Sequence, residues 1–524
     1  MGLTLYDTTL RDGSQGEGIA LSLDDKLKIT RQLDRFGIDF IEGGWPGSNP
    51  KDEAYFKEVQ NMDLDNAKIT AFSSSRRPNM KVEEDPNILK LLDAGVEYVT
   101  IFSKSWDLHV QEALQIPLAE NLAMIKDTIS FLKENDLRVF FDAEHFFDGY
   151  FNNSNYALEV IKTAAEAGAE LLVLCDTNGG MLPSQVTKVM QEIRGKFEVP
   201  IGIHAHNDGN LAVANSLAAY EEGAVHFQGT VGGLGERCGN ADLCSVIPAL
   251  QLKYGEELVT AEQLKQLKPL YYFVTETANL IPKNNKPYVG KSAFTHKGGI
   301  HVSAVRKNPH TYEHIEPELV GNERRVLVSE LAGKSNLLYK LREVGFDLND
   351  FSDEMIKKLV KKVKVLENQG YQFEGAEASL ILMAFREFKD YQSFFEIEDF
   401  KTNSISQEDH TYSEAVVKMN VKKQKVHIAA DGDGPVNALD NCFRKALVSF
   451  YPEISESKLI DYKVRVLNGN DGTAAKVRVL IETADLEKSW TTVGVSTNII
   501  QASWDALVDS IEYLLLIKEG ARII

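Results

Sequence analysis

Cysteine, basic charge and long apolar runs are all scarce in this 524-residue sequence, and each scarcity excludes a class of protein. The four cysteines form no Cys-x-x-Cys pair and stand at Cys175, Cys238, Cys244 and Cys442. Such sparse, unpaired use predicts a cytoplasmic protein, because disulfide frameworks belong to oxidising compartments. No run reaches the roughly 18 apolar residues that a membrane-spanning helix needs, so we expect no membrane partner.

The charge balance is acidic, with 57 Lys and Arg against 77 Asp and Glu and a formal net charge of −20. A surface of this sign repels nucleic acid and anionic lipid, so we expect no nucleic-acid partner. Small anionic substrates stay compatible with this charge, because a bound metal ion and an arginine can reverse the field inside a cleft.

Short apolar, β-branched runs recur eight times, each followed by a polar turn and a stretch with helical periodicity. They lie at 3–8, 38–43, 67–72, 96–102, 137–142, 169–175, 200–204 and 224–228. Eight strand–helix units in about 250 residues predict an α/β fold, a (β/α)₈ TIM barrel. An open doubly wound sheet is the alternative, but such sheets usually carry a Gly-rich fingerprint after the first strand, where this sequence reads DTTLRDG.

The pattern changes twice after the last of these runs. Residues up to about 405 are mostly helical in period, around an irregular segment at 283–312 whose length is typical of functional or interface loops. From about 406, two strands and a helix are followed by a second such set, which predicts a duplicated α+β domain. We therefore expect a catalytic barrel over 1–270, helical linker subdomains over 271–405 and a C-terminal regulatory and dimerisation domain over 406–524.

Polar side chains follow nearly every predicted barrel strand, at the end where such barrels carry their catalytic groups. His204 and His206 stand two apart on the seventh strand and therefore point to one side. Asp12 follows the first strand, which a closed barrel separates from the seventh by the eighth alone. Two imidazoles and a carboxylate suit Mn²⁺, Mg²⁺, Zn²⁺ or Fe²⁺, so we predict a divalent metal centre at these three residues.

Two alternatives compete with this metal centre. A histidine pair at this spacing can be purely structural, although the nearby Arg11 and Asp12 favour chemistry. Amidohydrolase barrels also use His-x-His, but on the first strand and with further ligands on later strands. The position of this pair on the seventh strand disfavours metal-dependent hydrolysis of that kind.

Several segments resemble the DRE-TIM metallolyase superfamily. They are DTTLRDG at the first strand, HAHND at the seventh and GLGERCGN after the eighth. FTHKGGIHVSAV and GDGPVNAL are similar to segments of its Claisen-condensing branch, the 2-isopropylmalate, homocitrate and citramalate synthases. The resemblance covers essentially the whole chain in the same order.

The resemblance implies a role for each matching residue. Asn240 would complete the metal centre, and the ion would chelate the carboxylate and keto oxygens of a 2-oxo acid. Arg11 would stabilise the alkoxide that develops on the keto oxygen, as a catalytic and substrate-binding residue. Thr177 and Gln15 would also contact substrate, with Thr177 at the carboxylate of the 2-oxo acid.

A second group of residues would act on the acetyl thioester. Glu144, at the end of the fifth strand, would help to generate the enolate, and the alternative is a purely supporting position. His301 and Tyr312, from the irregular segment, would assist that proton transfer, within one chain or across a dimer. The alternative for His301 is packing of its loop.

The resemblance implies an acyltransferase that condenses acetyl-CoA with pyruvate to (R)-citramalate and CoA, in a threonine-independent route to isoleucine. Alternative acceptors are 2-oxoisovalerate and 2-oxoglutarate. The segment after the third strand and His145 depart from the isopropylmalate synthase pattern, which puts the acceptor in doubt more than the reaction class. A lyase running the cleavage direction is disfavoured by the C-terminal domain, and a catalytically dead sensor by the intact site residues.

The duplicated C-terminal domain carries the remaining expectations. Each of its helices starts after Gly- and Asx-rich residues, whose backbone N–H groups suit a carboxylate ligand. We expect a homodimer in which this domain binds an end-product amino acid, with isoleucine as the favoured feedback inhibitor. Ordinary helix capping is the alternative interpretation of those residues.

Overall fold

The structure of the chain, a computed structural model, describes residues 2–297, 299–326, 352–388, 391–407, 410–467, 469–485 and 488–518. The chain divides into two units. The first holds Met1–Phe294 and His314–Arg324, and the second holds Thr295–Glu313 and Arg325–Ile524. Residues 327–351 of the predicted helical linker lie outside the described residues. None of the helices in these ranges is both long and apolar enough to cross a membrane.

Eight parallel strands close into a barrel in the first unit, in sequence order. They are β1 (Thr4–Asp7), β2 (Phe40–Gly44), β3 (Lys68–Ser74), β4 (Tyr98–Lys104), β5 (Arg138–Glu144), β6 (Leu171–Asp176), β7 (Ile201–Ala205) and β8 (His226–Gly229). β1 pairs with both β2 and β8, which closes the sheet. Each strand overlaps one of the predicted runs, so the α/β barrel prediction is confirmed.

The helices of the first unit follow the strands in turn. They are α1 (Leu23–Phe36), α2 (Pro50–Val59), α3 (Pro86–Asp93), α4 (Asp107–His109), α5 (Leu118–Glu134), α6 (Phe146–Glu166), α7 (Pro183–Ile193), α8 (Ala212–Glu221), α9 (Leu243–Ala249), α10 (Ala261–Leu264) and α11 (Leu267–Thr277). In α1, the side chains of Ser22 and Asp25 each accept the other's backbone N–H and so fix its start. Gly37 ends it at a φ of 99°, a conformation that favours glycine.

Apolar and aromatic side chains fill the barrel interior near the amino ends of the strands. His226 lies among them, with its ring 5.3 Å from that of Tyr6 and 5.5 Å from that of Phe140. Burial lowers the pKa of His226 to about 3, so it is a neutral core histidine at pH 7. Because these side chains fill the amino end of the barrel, a reaction site can form only at the carboxyl ends of the strands.

The second unit contains two antiparallel sheets of three strands. Its strands are β9 (Thr295–His296) and β10 (Arg325–Val326), which pair with each other, then β11 (Phe395–Gln407), β12 (His410–Val421), β13 (Gln424–Gly432), β14 (Lys458–Val466), β15 (Val477–Ala484) and β16 (Ser489–Ser496). Its helices are α12 (Gly299–Lys307), α13 (Asp353–Asn368), α14 (Glu377–Phe388), α15 (Pro435–Leu447) and α16 (Ile499–Lys518). α15 packs on β12 and β13, and α16 packs on β15 and β16. The predicted duplication is therefore present as two strand–strand–strand–helix units.

Each copy of this repeat has one strand more than the sequence predicts. The additional strands, β11 and β14, lie at sheet edges and contain register shifts at Ile397/Asp399 and Leu459/Asp461. A bulge resets the alternation of apolar and polar side chains, which hides the period of two in the sequence. The predicted boundary at 405/406 therefore falls inside β11, and the one at 270/271 falls inside α11.

Candidate metal centre and active site

Asp12, His204 and His206 meet above the carboxyl ends of the barrel strands and form a buried cluster, the candidate metal centre. Nε2 of His204 lies 3.5 Å from Oδ2 of Asp12, and Nε2 of His206 lies 3.9 Å from the same oxygen. The two Nε2 atoms are 3.3 Å apart. Since one ligand atom from each residue lies within 4.8 Å of the others, the cluster could hold a metal ion.

The local backbone explains how these side chains converge. After β1 the chain turns tightly, because the N–H groups of Arg11 and Gly13 both donate to the carbonyl oxygen of Thr8, at 3.2 and 3.0 Å. This turn directs Asp12 over the barrel. β1 and β7 both pair with β8, so the first and seventh strand ends are separated by one strand.

Two buried oxygens at the centre have no hydrogen-bond partner among the described residues, Oδ1 of Asp12 and Oδ1 of Asn240. The backbone of Asn240 pairs with that of His206, and its Nδ2 donates to the Leu234 carbonyl at 3.1 Å. An orphaned buried acceptor costs about 1–3 kcal/mol, which a bound cation would offset. Two imidazole nitrogens with carboxylate and amide oxygens suit a divalent ion, so the residues fit the predicted metal.

Electrostatics favour the binding-competent forms of His206 and Asp12, whereas burial of His204 is outweighed by the neighbouring Asp12, which raises the pKa of His204. Burial, reinforced by the neighbouring His204, lowers the pKa of His206 to about 3, so its imidazole is neutral at pH 7. Burial opposes ionisation of Asp12, but Arg11 and His204 outweigh it and hold the pKa of that carboxyl well below its usual range. A neutral imidazole and an ionised carboxylate are the forms that bind metals.

The Arg11 guanidinium is held beside the metal centre from three sides. Its Nε donates to Oε2 of Glu42 at 2.6 Å, and its Nη1 donates to Oδ2 of Asp12 at 3.1 Å. Its central carbon lies 3.9 Å from the centre of the Phe72 ring. Glu42 is itself fixed, because it accepts hydrogen bonds from the hydroxyls of Tyr6, at 2.6 Å, and Thr8. Arg11 does pair with Glu42, and that pair orients its guanidinium at the barrel mouth.

Three aromatic residues lie on one side of Arg11: Trp45 just after β2, Phe72 on β3 and Phe102 on β4. Of these, Phe72 contacts the guanidinium. The rings of Phe72 and Phe102 stack at 5.0 Å, and Trp45 meets them edge-on at 6.0 and 5.8 Å. These rings form an apolar wall beside the guanidinium. Sequence reasoning missed this wall, since Trp45 follows β2 whereas Phe72 and Phe102 lie on β3 and β4.

Glu144 lies at the end of β5 and forms an ion pair with Lys104 at the end of β4. The two residues are register partners on adjacent strands. Lys104 did not enter the sequence prediction, although a charged residue at a strand end next to Glu144 was the available signal. The pair gives the mouth of the barrel a carboxylate of fixed orientation.

Thr177 lies just beyond β6, and its hydroxyl oxygen accepts the N–H of His145 at 2.8 Å. His145 has a φ of 58°, an uncommon conformation for a residue other than glycine. The guanidinium of Arg237 donates to the Thr177 carbonyl at 2.8 Å and to Asp208, also at 2.8 Å. These bonds tie the loop after β8 to the ends of β6 and β7. Gln15 is exposed at the end of the turn after β1.

The loop after β8 brings Asn240 to the centre only because it contains glycines. A Cβ on Gly239 would lie 1.9 Å from the Gly233 carbonyl oxygen, and a Cβ on Gly235 would lie 2.3 Å from Nδ2 of Asn240. Both glycines also have positive φ, at 86° and 146°. The glycines of the run GGLGERCGN therefore allow the loop to fold back closely on itself.

His301 and Tyr312 belong to the second unit, whereas the metal centre belongs to the first. His301 lies on α12, and its ring centre is 4.3 Å from that of Tyr312. Both side chains are exposed. Their action at the metal centre stays a prediction.

Two further buried residues below the centre were not predicted to take part. Oε1 of Gln228 lies 2.8 Å from Nδ1 of His204, and Nε2 of Gln228 donates to Oδ1 of Asp142 at 3.1 Å. Burial raises the pKa of Asp142 to about 7. The sequence signal was present, since both residues end predicted strands, but their contact crosses the barrel interior.

Comparison with known families matches three consecutive parts of the chain. Residues 2–270 match the HMGL-like family, 288–371 match the homocitrate synthase post-HMGL domain-like family, and 374–515 match the LeuA allosteric (dimerisation) domain. The first match ends within α11, and the third begins three residues before α14.

Whole-chain relatives agree with this order of domains. The (R)-citramalate synthase of Aquifex aeolicus is 52% identical over 99% of this chain and 99% of its own. That of Geobacter sulfurreducens is 51% identical over 98% of this chain and 97% of its own. The 2-isopropylmalate synthase of Methanocaldococcus jannaschii is 31% identical over 98% of this chain and 95% of its own. With its HMGL-like barrel and full-length likeness to several such enzymes, the chain belongs to the (R)-citramalate synthase family.

Proposed function

We propose that this chain condenses acetyl-CoA with pyruvate to give (R)-citramalate and CoA. The observation that carries the proposal is the buried cluster of Asp12, His204 and His206 with the Arg11 guanidinium fixed beside it. Membership of the (R)-citramalate synthase family supports the choice of substrates. A cation site next to a fixed guanidinium suits a reaction in which negative charge develops on a keto oxygen.

Asp12, His204, His206 and Asn240 would hold the metal ion, which would be Mn²⁺, Mg²⁺ or Zn²⁺. Bound there, it supplies Lewis-acid polarisation of the keto carbonyl. The orphaned oxygens of Asp12 and Asn240 support this ligand set.

Arg11 and Thr177 bind and orient pyruvate. Arg11 donates an N–H to the keto oxygen, and its bonds to Glu42 and Asp12 hold it in position before charge develops. The Thr177 oxygen accepts a backbone N–H, which leaves its O–H to donate to the carboxylate of pyruvate. Gln15, at the exposed turn, contacts the substrates from the outer side.

Glu144 moves the proton at the start of the reaction. Its carboxylate, oriented by Lys104, takes a proton from the methyl group of the acetyl thioester. The resulting carbon nucleophile attacks the keto carbon of pyruvate, and the keto oxygen takes the electron pair and then the proton that Glu144 removed. Water then attacks the thioester and its C–S bond breaks. One proton of the water goes to the departing thiolate and the other to solvent, which leaves CoA and the carboxylate of citramalate. His301 and Tyr312, whose rings pack together, assist proton transfer from the second unit of the same chain or its partner.

The aromatic wall favours pyruvate over larger acceptors. Phe72 lies against Arg11, so a branched side chain on the 2-oxo acid would meet the rings of Phe72, Phe102 and Trp45. Each extra methylene changes discrimination in an apolar pocket by about 1–3 kcal/mol. The alternative acceptors are 2-oxoisovalerate and 2-oxoglutarate.

A thiol-release assay for free CoA, with acetyl-CoA and a panel of 2-oxo acids, tests the proposal. We expect kcat/KM for pyruvate to exceed that for 2-oxoisovalerate by at least about tenfold. The variant Phe72→Leu tests the aromatic wall. It should lower the ratio of kcat/KM for pyruvate to kcat/KM for 2-oxoisovalerate, and the variant should still turn over pyruvate. A higher kcat/KM with 2-oxoisovalerate or 2-oxoglutarate would reassign the acceptor, and no release with any acceptor would remove the proposed function.

The second unit supports a homodimer with feedback control. Its match to the LeuA allosteric (dimerisation) domain and its two strand–strand–strand–helix units are the support. Isoleucine is the proposed effector, bound near the starts of α15 and α16. Light scattering of the full chain should give twice the chain mass, and isoleucine should inhibit CoA release more than valine does. A monomer, or equal response to both amino acids, would contradict this part.

The proposed location is the cytoplasm. All four cysteines are free, and three of them are buried. Free thiols throughout are usual in a reducing compartment. Fractionation of cells that express a tagged chain would show it outside the soluble fraction if the location is wrong.

A further inference from the structure

A chain of two hydrogen bonds runs from the metal centre into the barrel interior, through His204, Gln228 and Asp142. Nδ1 of His204 is 2.8 Å from Oε1 of Gln228, and Nε2 of Gln228 is 3.1 Å from Oδ1 of Asp142. The three residues are 5%, 1% and 4% exposed, so water does not compete for these bonds. His204 and Gln228 are register partners on β7 and β8, whereas Asp142 reaches them from β5 across the barrel.

The direction of these bonds decides which nitrogen of His204 is available. A glutamine amide can present either its oxygen or its NH₂ group to a neighbour. Oδ1 of Asp142 accepts a hydrogen bond from the NH₂ group of Gln228, and this bond turns the amide oxygen towards His204. Of the two tautomers of the neutral imidazole, an oxygen at that position selects the one with its proton on Nδ1 of His204, which leaves the lone pair on Nε2.

Nε2 is the atom that faces the metal centre, 3.5 Å from Asp12 and 3.3 Å from Nε2 of His206. If the amide of Gln228 were reversed, its NH₂ group would favour the tautomer with a proton on Nε2, which cannot ligate. Nδ1 of His206 has no hydrogen-bond partner within the described part of the chain. Of the two histidines, His204 is therefore the one whose tautomer is set by a hydrogen bond on Nδ1.

We propose that Gln228 is a positioning residue for metal binding and that Asp142 sets the orientation of its amide. This inference rests on the proposed metal centre and adds the residues that prepare one ligand for it. Outer hydrogen-bond partners of metal-binding histidines typically change metal affinity by about 10- to 100-fold when they are removed.

The experiment measures Mn²⁺ affinity of the full chain by competition with a chelating dye, in the absence of substrates. Gln228→Leu should weaken Mn²⁺ binding by about 10- to 100-fold, and Asp142→Asn, which lets the amide turn either way, should weaken it less. The double variant Gln228→Glu with Asp142→Asn should bind within a few-fold of wild type. Its carboxylate still accepts from Nδ1 of His204, and its asparagine can donate to that carboxylate.

Thr4→Val is the matched control. It removes the Thr4 hydroxyl, 2.9 Å from Nδ1 of His226, and so takes a partner from a barrel histidine that is no ligand. Its Mn²⁺ affinity should equal that of wild type. If Gln228→Leu does not fold, the Mn²⁺ affinities of Asp142→Asn and of the double variant test the proposal. The first should be weaker than wild type and the second close to it.

Two failures are distinguishable. Wild-type affinity in both Gln228→Leu and Asp142→Asn, or a double variant as weak as Gln228→Leu, would overturn the positioning role while the metal centre stands. No Mn²⁺ binding by wild type would instead remove the metal centre on which the proposed function depends.

Discussion

Each unit of the chain pairs an arginine with two carboxylates, and the two clusters differ in how completely their carboxylate oxygens are hydrogen-bonded. In the barrel, Arg11 pairs with Asp12 and Glu42. In the second unit, Arg386 on α14 pairs with Asp509 and Glu512 on α16. Both clusters join elements that are distant in sequence.

The second cluster is closed by further donors. Asp509 accepts a hydrogen bond from the Ser379 hydroxyl at 2.8 Å, and Glu512 accepts from Tyr391 at 2.8 Å and Ser393 at 2.5 Å. In the barrel cluster, Oδ1 of Asp12 is left without a partner among the described residues. A satisfied ionic cluster stabilises a fold, whereas one that keeps an unpaired buried acceptor is prepared for a ligand.

Asp12→Asn should produce the largest effect that separates the two clusters. In the proposed metal centre this change removes a charged ligand, and with it several kcal/mol of transition-state stabilisation, so kcat for CoA release should fall at least about 10³-fold. The unfolding temperature without added metal should also fall, because the Asp12 carboxylate is paired with Arg11 and its lowered pKa means that the ionised form stabilises the fold. Retained activity together with a lower unfolding temperature would make Asp12 a structural residue like Asp509.

Arg11→Lys should produce the next largest effect. Lysine keeps the charge but cannot hold two carboxylates and the keto oxygen in one planar geometry, so kcat should fall about 10²- to 10³-fold. Mn²⁺ affinity should stay within a few-fold of wild type, which separates this role from ligation. An unchanged kcat would show that Arg11 serves only to pair with Glu42.

Arg386→Met should act on stability alone. It leaves Glu512, 3% exposed, without its cation, and such losses cost about 3–5 kcal/mol. We expect the lower end, because Arg386 is itself 40% exposed and solvent screens the pair. Chemical denaturation of the second unit measures the change, and Lys28→Met, at an exposed pair with Asp24, is the control that should show none. If Arg386→Met lowered kcat without lowering stability, the Arg386 cluster would not be a purely stabilising one.

The sequence predicts the barrel and the meeting of Asp12, His204 and His206 because two regularities determine them. Alternation puts His204 and His206 on one side of β7, and closure brings β1 within one strand of β7. The pairing of Lys104 with Glu144 depends on the register between β4 and β5, which a sequence does not display. Catalytic roles of His301 and Tyr312 remain predictions from resemblance.

Two further features were not predicted from the sequence: the contact between Gln228 and Asp142 and the edge strands β11 and β14. Gln228 meets Asp142 across strands that do not pair, so no local pattern links them. β11 and β14 lose their period of two at a bulge, which is why one strand of each C-terminal copy was missed. What sequence periodicity shows is local geometry, and these features depend on distant partners.

The most direct test of the metal-dependent condensation is CoA release from acetyl-CoA and pyruvate as Mn²⁺ is titrated into chelator-stripped protein. We expect the initial rate to rise in proportion to bound Mn²⁺ and to level off at one ion per chain. Full release by the stripped protein, or one bound ion per chain without release, would contradict this expectation.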